Sequence, residues 1–210
     1  MERDRGRWNE KWRTRAGELE PPSSFLVEHA HLLPARGRAL DVAGGAGRNA
    51  VWLAKRGLDV TLIDISEVAL ERAERKAQTT GVTEHIRFLQ ADLDDAELPA
   101  PTFDLVVMID YLTRARRDEL ARLVFEHGLV IATQPTVANL ERHAHPRREY
   151  LVEPGELERW LLELDFTIEV SREDWTGDGR HEACVIGRRI ARTPSEEPTD
   201  DPLPGDGPYR

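Results

Sequence analysis

Cysteine is nearly missing from this chain: Cys184 is the only one in 210 residues. No intramolecular disulfide and no cysteine-rich metal site can form, which accords with a reducing, cytoplasmic setting. Aromatic residues make up only 6%, although five of them are tryptophans, unevenly placed. No apolar run approaches the roughly 20 residues that cross a bilayer. The charged amino-terminal stretch has none of the apolar core of a secretory signal. Basic charge is in deficit, with 29 Lys and Arg against 39 Asp and Glu, a net of −10. A general nucleic-acid binder needs a basic face, so nucleic acid is not the expected partner. Internal repeats are absent, and nothing in the sequence speaks to oligomeric state.

Against these absences stands one glycine-rich stretch, Ala39-Leu40-Asp41-Val42-Ala43-Gly44-Gly45-Ala46-Gly47-Arg48-Asn49-Ala50. It reads as the end of a buried strand, a turn and the start of a helix that stops at Gly57. Glycines admit left-handed backbone and let a ligand approach bare peptide, and a helix start offers unpaired N–H groups. Gly45, Gly47 and Ala50 fit the dinucleotide fingerprint, with Asp64 at ribose-clamp distance. Charge separates the candidate nucleotides. A dinucleotide would bring a pyrophosphate against Asp41. S-adenosylmethionine has no phosphate and carries an ammonium, a sulfonium and one carboxylate, which suits an acidic mouth with a helix start behind it.

The rest of the chain frames that turn. Residues 1–35 read as a helical cap segment, in which Trp8 and Trp12 share one helix face and either dock it or form a lid over the cleft. Pro21-Pro22 breaks this segment, and Ser23 or Ser24 caps a short helix that Pro34 ends. His29 and His31 are two apart and share no helix face. Short apolar runs predict strands at 38–42, 59–63, 86–90, 103–109 and 129–132, with helices at 67–79, capped by Ser66, and at 116–125. Such alternation predicts a parallel sheet covered on both faces. Residues 134–152 read as a loop and 156–164 as a helix. Strands at 166–170 and 182–188 follow, close enough for a hairpin. The expected architecture is therefore one α/β domain over 1–191, a Rossmann-like three-layer sandwich with a mostly parallel seven-stranded sheet and a C-terminal antiparallel hairpin. Residues 192–210, acidic and rich in proline, have little to bury and read as a disordered tail.

The glycine turn after the first strand, the acid ending the second, the acid after the third and the closing hairpin resemble class I S-adenosylmethionine-dependent methyltransferases over residues 36–190. More narrowly, Gly47-Arg48-Asn49, Asp110-Tyr111-Leu112 and Pro154-Gly155-Glu156-Leu157 are similar to the tellurite-resistance-type small-molecule methyltransferases. One departure is that the family's first motif glycine is Ala43 here. The resemblance implies S-adenosylmethionine as cofactor, S-adenosylhomocysteine as product and in-line displacement onto a small-molecule acceptor. It places Asp41 near the cofactor's amino group, directly or through water, and the backbone of Ala43 and Gly45 on the methionyl part. Gly47, Arg48 and Asn49 complete the turn, and Ile109 lies at the end of the fourth strand. Asp64 takes the ribose hydroxyls, Ile65 the adenine face, and Asp92 with Leu93 the adenine edge.

Methyl transfer from a sulfonium needs alignment more than proton transfer, and the sequence shows no catalytic triad. Tyr111, Asp110 and His181 are the candidate catalytic residues on the acceptor side. Arg48, Arg147, Arg148 and His181 are candidates to read an anionic acceptor. His143 and His145 with His181 match no metal-ligand pattern, and Cys184 falls in a core strand. Three other readings use the same features: an NAD-dependent oxidoreductase, a non-catalytic cofactor-binding scaffold and an RNA methyltransferase.

Overall fold

Apolar side chains that recur without polar interruption need cover on both faces of a sheet, and that requirement sets the architecture. A computed structural model describes residues 2–15, 20–98 and 103–191; the expected tail at 192–210 lies outside them. Among the described residues are helices α1 (Glu2–Thr14), α2 (Ser24–Glu28), α3 (Arg48–Lys55), α4 (Glu67–Thr80), α5 (Arg117–Ala121) and α6 (Glu156–Leu162). The strands are β1 (Gly37–Val42), β2 (Leu58–Asp64), β3 (Ile86–Gln90), β4 (Phe103–Ile109), β5 (Val124–Pro135), β6 (Phe166–Trp175) and β7 (His181–Arg189). They form one seven-stranded sheet in the order β3-β2-β1-β4-β5-β7-β6. β1 to β5 run parallel, and β7 is antiparallel to both β5 and β6. The expected sandwich with its closing hairpin is the observed one.

Two apolar layers flank the sheet. Ala39, Leu62, Leu105 and Ile131 pack with Leu53 and Ala54 of α3, Ala73 and Ala77 of α4, and Phe25 of α2. Leu40, Val106, Val130 and Val185 pack on the opposite face with Leu120 of α5 and Leu157, Trp160 and Leu161 of α6. The strand order reverses between β2-β1 and β1-β4. Open sheets of this kind take ligands at the carboxyl ends of their strands beside such a switch point.

Local signals set several boundaries. Ser66 caps α4 by accepting from the Ala69 N–H at 3.2 Å, and Gly81 ends it with φ of 71°. β3 and β4 lie where their apolar runs predict. Elsewhere tertiary pairing overrides the local pattern. The helix expected at 116–125 ends at Ala121, because Val124 pairs with Phe103 and opens β5 early. β6 runs on to Trp175, and its polar second half is strand only because β7 pairs with it, Arg172 opposite Cys184 and Trp175 opposite His181. Ser23 precedes α2 without a side-chain cap; its N–H instead donates to Asn49 Oδ1 at 2.9 Å. Within 134–152, short 3₁₀ turns occur at Val137–Glu141 and Arg148–Tyr150. No helix among the described residues is long and apolar enough to cross a membrane.

The glycine turn is closely packed. A Cβ on Gly44 would stand 2.6 Å from Asp41 Oδ2 and 2.9 Å from Leu62 Cγ. Gly44→Ala is therefore expected to lower stability by about 1–3 kcal/mol through overpacking. Urea denaturation measures this, and an unchanged midpoint would contradict the close approach.

Candidate active site

The backbone after β1 turns through three left-handed residues, Ala43, Gly45 and Gly47, with φ of 51°, 56° and 76°. Ala43, the departure from the family pattern, adopts the turn conformation at a cost of about 1–2 kcal/mol for a side-chain-bearing residue. The turn is closed by the Gly47 N–H donating to Gly44 O at 3.0 Å and the Gly44 N–H to Ile63 O at 3.1 Å. Gly47 also lets α3 and α4 meet: a Cβ there would stand 2.8 Å from Ala73 Cβ.

Two buried carboxylates hold this turn in place. Asp64, at the end of β2, accepts from the Gly45 N–H through Oδ2 and from the Ser66 N–H through Oδ1, both at 2.8 Å. Burial raises its pKa against the pull of these backbone bonds. Asp41, at 1% exposure, accepts from the Ala50 N–H at 3.0 Å. Its Oδ2 faces the first turn of α3 and clamps the helix start. Burial pushes Asp41 up to about 7, opposed by the Ala50 bond and the charge of Arg48.

Helix α1 lies across the ends of these strands. Trp12 covers Gly45 so closely that a Cβ there would stand 2.7 Å from its Cζ2. Asn9, 6% exposed, accepts from Ser66 Oγ at 2.7 Å and donates to Glu67 Oε1 at 3.1 Å. The cap segment therefore sits over the glycine turn. Lys11 feels the charges of Glu20 and Asp110, which extends the cover toward β4. The two tryptophans divide their roles: Trp8 packs under Lys11, whereas Trp12 reaches the turn.

At the end of β4, Asp110 takes a left-handed φ of 58°. Its Oδ2 accepts from Arg48 Nη2 at 3.0 Å, and its Oδ1 forms an ion pair with Arg180 Nη1, also at 3.0 Å. Both oxygens are thus engaged by guanidinium groups. Arg180 also pairs with Glu182. Arg48 reaches Glu20 as well, at 3.4 Å. Arg180 stands in the β6–β7 turn, and the sequence reading passed over it; the turn signal Thr176-Gly177-Asp178-Gly179 just before it was the clue available.

The remaining candidates divide between the site and the frame. Burial and the charges of Asp94 and Asp92 push the Tyr111 phenol up to about 12, and its ring lines a small cleft with Met108, Thr133 and Trp160. His181 is pinned, with Nδ1 2.7 Å from Thr136 Oγ1 and its ring edge-on to Trp175. His143 bonds the carbonyl of Gly179. Asn49 is buried and spends Oδ1 on Ser23. Ile109 and Leu93 are core residues. Ile65 and Asp92 are half-buried at the ends of β2 and β3, where the Ala91 N–H donates to Asp64 O at 3.1 Å. Arg147 and Arg148 are exposed and paired with Glu149 and Glu153. Cys184 is buried, with its thiol pushed up to about 12 by desolvation. Glu156, from the Pro154–Leu157 motif, binds Arg114 and Arg117 and so fixes the segment after β4.

The raised Asp41 has a consequence for stability. A carboxyl with a folded pKa of about 7 against 3.8 unfolded binds more protons folded, so its contribution is full below pH 3.8 and is lost as pH rises through about 7. Relative to Asp41→Asn, which keeps an acceptor for Ala50, the native protein should lose stability between about pH 4 and pH 8. Parallel denaturation curves would contradict this.

Residues 39–128 match the family model described as a methyltransferase domain. The chain is 35% identical over 66 residues to tRNA 5-carboxymethoxyuridine methyltransferase of Escherichia coli (strain K12), covering 31% of this chain and 25% of that protein. It is 28% identical over 153 residues to ubiquinone biosynthesis O-methyltransferase of Alkalilimnicola ehrlichii, covering 62% and 61%. It spans only 25% to 34% of the length of the first curated relatives it matches. Among solved structures it is similar to magnesium protoporphyrin IX methyltransferase from Synechocystis PCC 6803 with bound SAH, with a TM-score of 0.67 and 19% identity over 90% of this chain and 99% of that one. Residues 39–128 thus match a methyltransferase domain, and the chain folds as class I S-adenosylmethionine-dependent methyltransferases do.

Proposed function

We propose that this protein is an S-adenosylmethionine-dependent methyltransferase acting on a small molecule. The observation that carries the reading is the convergence of three strand ends on one turn. Asp64 from β2 holds Gly45, Asp41 from β1 holds the start of α3, and Arg48 of the same helix reaches Asp110 after β4. The residues fit the cofactor in kind. Each Asp64 oxygen keeps a second lone pair beyond its backbone bond, and a ribose diol brings two donors. Asp92 and the Ile65 side chain stand at the neighbouring strand ends, suited to an amino group and an apolar ring face. The cofactor supplies a methyl group already activated on sulfur. What this chain contributes is a rigid turn, a carboxylate clamp for the sugar and cover from Trp12.

A small acceptor is favoured by the net charge of −10, which works against docking a polyanion. The family match ends at residue 128, before the 134–152 segment and the hairpin, so its RNA-modifying relatives carry no acceptor preference across. The narrower likeness to tellurite-resistance-type enzymes rests on Gly47-Arg48-Asn49, Asp110-Tyr111-Leu112 and Pro154–Leu157. Here the first two motifs meet through the Arg48–Asp110 ion pair.

Calorimetry tests the cofactor. S-adenosylhomocysteine should bind and raise the melting temperature, whereas NAD should do neither; the reverse order would favour the oxidoreductase. Asp64→Asn puts an amide nitrogen against one of two N–H donors. Losing a charged hydrogen bond of about 1.5–3 kcal/mol should weaken S-adenosylhomocysteine roughly 10- to 100-fold. Undiminished affinity in the folded variant would remove Asp64 from the site.

A further inference from the structure

Arg180 is held by two carboxylates, and neither takes its guanidinium as a fork. The turn that presents it is fastened: the Thr176 N–H donates to Arg180 O at 2.7 Å and the Arg180 N–H to Thr176 Oγ1 at 3.2 Å. From there the side chain reaches from β7 past β5 to Asp110 at the end of β4. A guanidinium recognises a carboxylate best as a fork, through two parallel N–H bonds. Arg180 has no such partner, since Nη1 goes to Asp110 and Nη2 to Glu182. Its Nε is buried with no hydrogen-bond partner.

Beside it lies a cavity of about 260 Å³, lined by Ser24, Arg172, Asp174, Trp175, Glu182 and Cys184. Glu182 is common to both, forming a wall of the cavity and holding Arg180 from behind. Burial pushes the Glu182 carboxyl up, against the charge of Arg180. Trp175 brings an aromatic wall, already fixed by Arg142 over its ring at 3.6 Å and by the edge contact with His181. The cavity is tied to the cofactor turn at two points, through Arg180 to Asp110 and Arg48, and through α2, where Ser23 bonds Asn49.

We propose that Arg180 is the acceptor-recognising residue and that the acceptor carries a carboxylate, with its body in the cavity beside Trp175. This rests on the methyltransferase reading and names the substrate class for the same site. Asp110, shared with Arg48, then holds Arg180 in position. A carboxylate is favoured over a phosphate because Asp110, Glu20 and Asp174 already stand nearby, and a dianion meets their repulsion twice over.

Benzoate and its uncharged isostere benzamide serve as probes, titrated by calorimetry with and without S-adenosylhomocysteine, beside inorganic phosphate. Benzoate is expected to bind about tenfold tighter than benzamide or more, and tighter than phosphate. Arg180→Gln should bring benzoate and benzamide within about twofold, with cofactor-product affinity unchanged. Arg180→Lys, which keeps the charge and loses the fork, should retain only part of the preference. Arg75→Gln, exposed on α4, should change nothing. Equal binding of benzoate and benzamide, a preference that survives Arg180→Gln in a protein of native melting temperature, or phosphate binding more tightly overturns the proposal. Failure of S-adenosylhomocysteine to bind would instead sink the methyltransferase reading, and the arm without it still reads Arg180.

Discussion

The structure depends on two carboxylates that take up the N–H groups of a turn made without side chains. A glycine turn has no packing of its own to fix it, and the first N–H groups of the following helix have no internal partners. Asp64 answers the first problem by binding Gly45 and Ser66 together. Asp41 answers the second by binding Ala50. Both acids are buried, and burial alone would drive them to the neutral form. The backbone bonds oppose that, so the turn and the acids hold one another. Removing either side leaves buried polar groups unmatched, which is costlier than never having placed them there.

This constraint explains why α3 must begin where it does. Gly44 passes against Asp41 and Leu62, and Gly47 passes against Ala73 of α4. Side chains at either point would push the helix off the sheet. With α3 and α4 seated, the ends of β1 and β2 are fixed relative to each other. Asn9 of α1 then finds Ser66 and Glu67 already in place, and Trp12 settles on the one surface of the turn bare enough to receive it.

Much of this was legible from local pattern. β3 and β4 lie where their apolar runs predict, and Ser66 and Gly81 bound α4 by capping chemistry that acts within a few residues. What resisted reading depended on partners far along the chain. β5 starts at Val124 because Phe103 lies beside it, and no periodicity around residue 124 announces this. The outer half of β6 is polar and becomes strand through its ladder with β7. At the site, the spacing of the acids revealed that they end neighbouring strands but not which way Asp41 turns, since a strand-end carboxylate serves a ligand or a helix start equally well by sequence. Arg180 was missed because its meaning comes from Asp110, 70 positions away in the numbering.

The ion pairs beyond β4 differ in kind from the clamps beneath the turn. Strand order in this half is already secured by backbone ladders: β4 to β5, β5 to β7 and β7 to β6 pair along most of their lengths. A bridge from Arg180 to Asp110 adds nothing that those ladders need. It holds a long side chain in one conformation, partly desolvated, and ionic bridges of that sort return little stability compared with apolar packing. Its geometry is also local to the mouth of the cleft, where Asp110 adopts a strained left-handed backbone of the type that collects at functional positions. The carboxylates of the β1–β2 end bind their own backbone first, and the β4–β7 end keeps charged side chains in contact with one another.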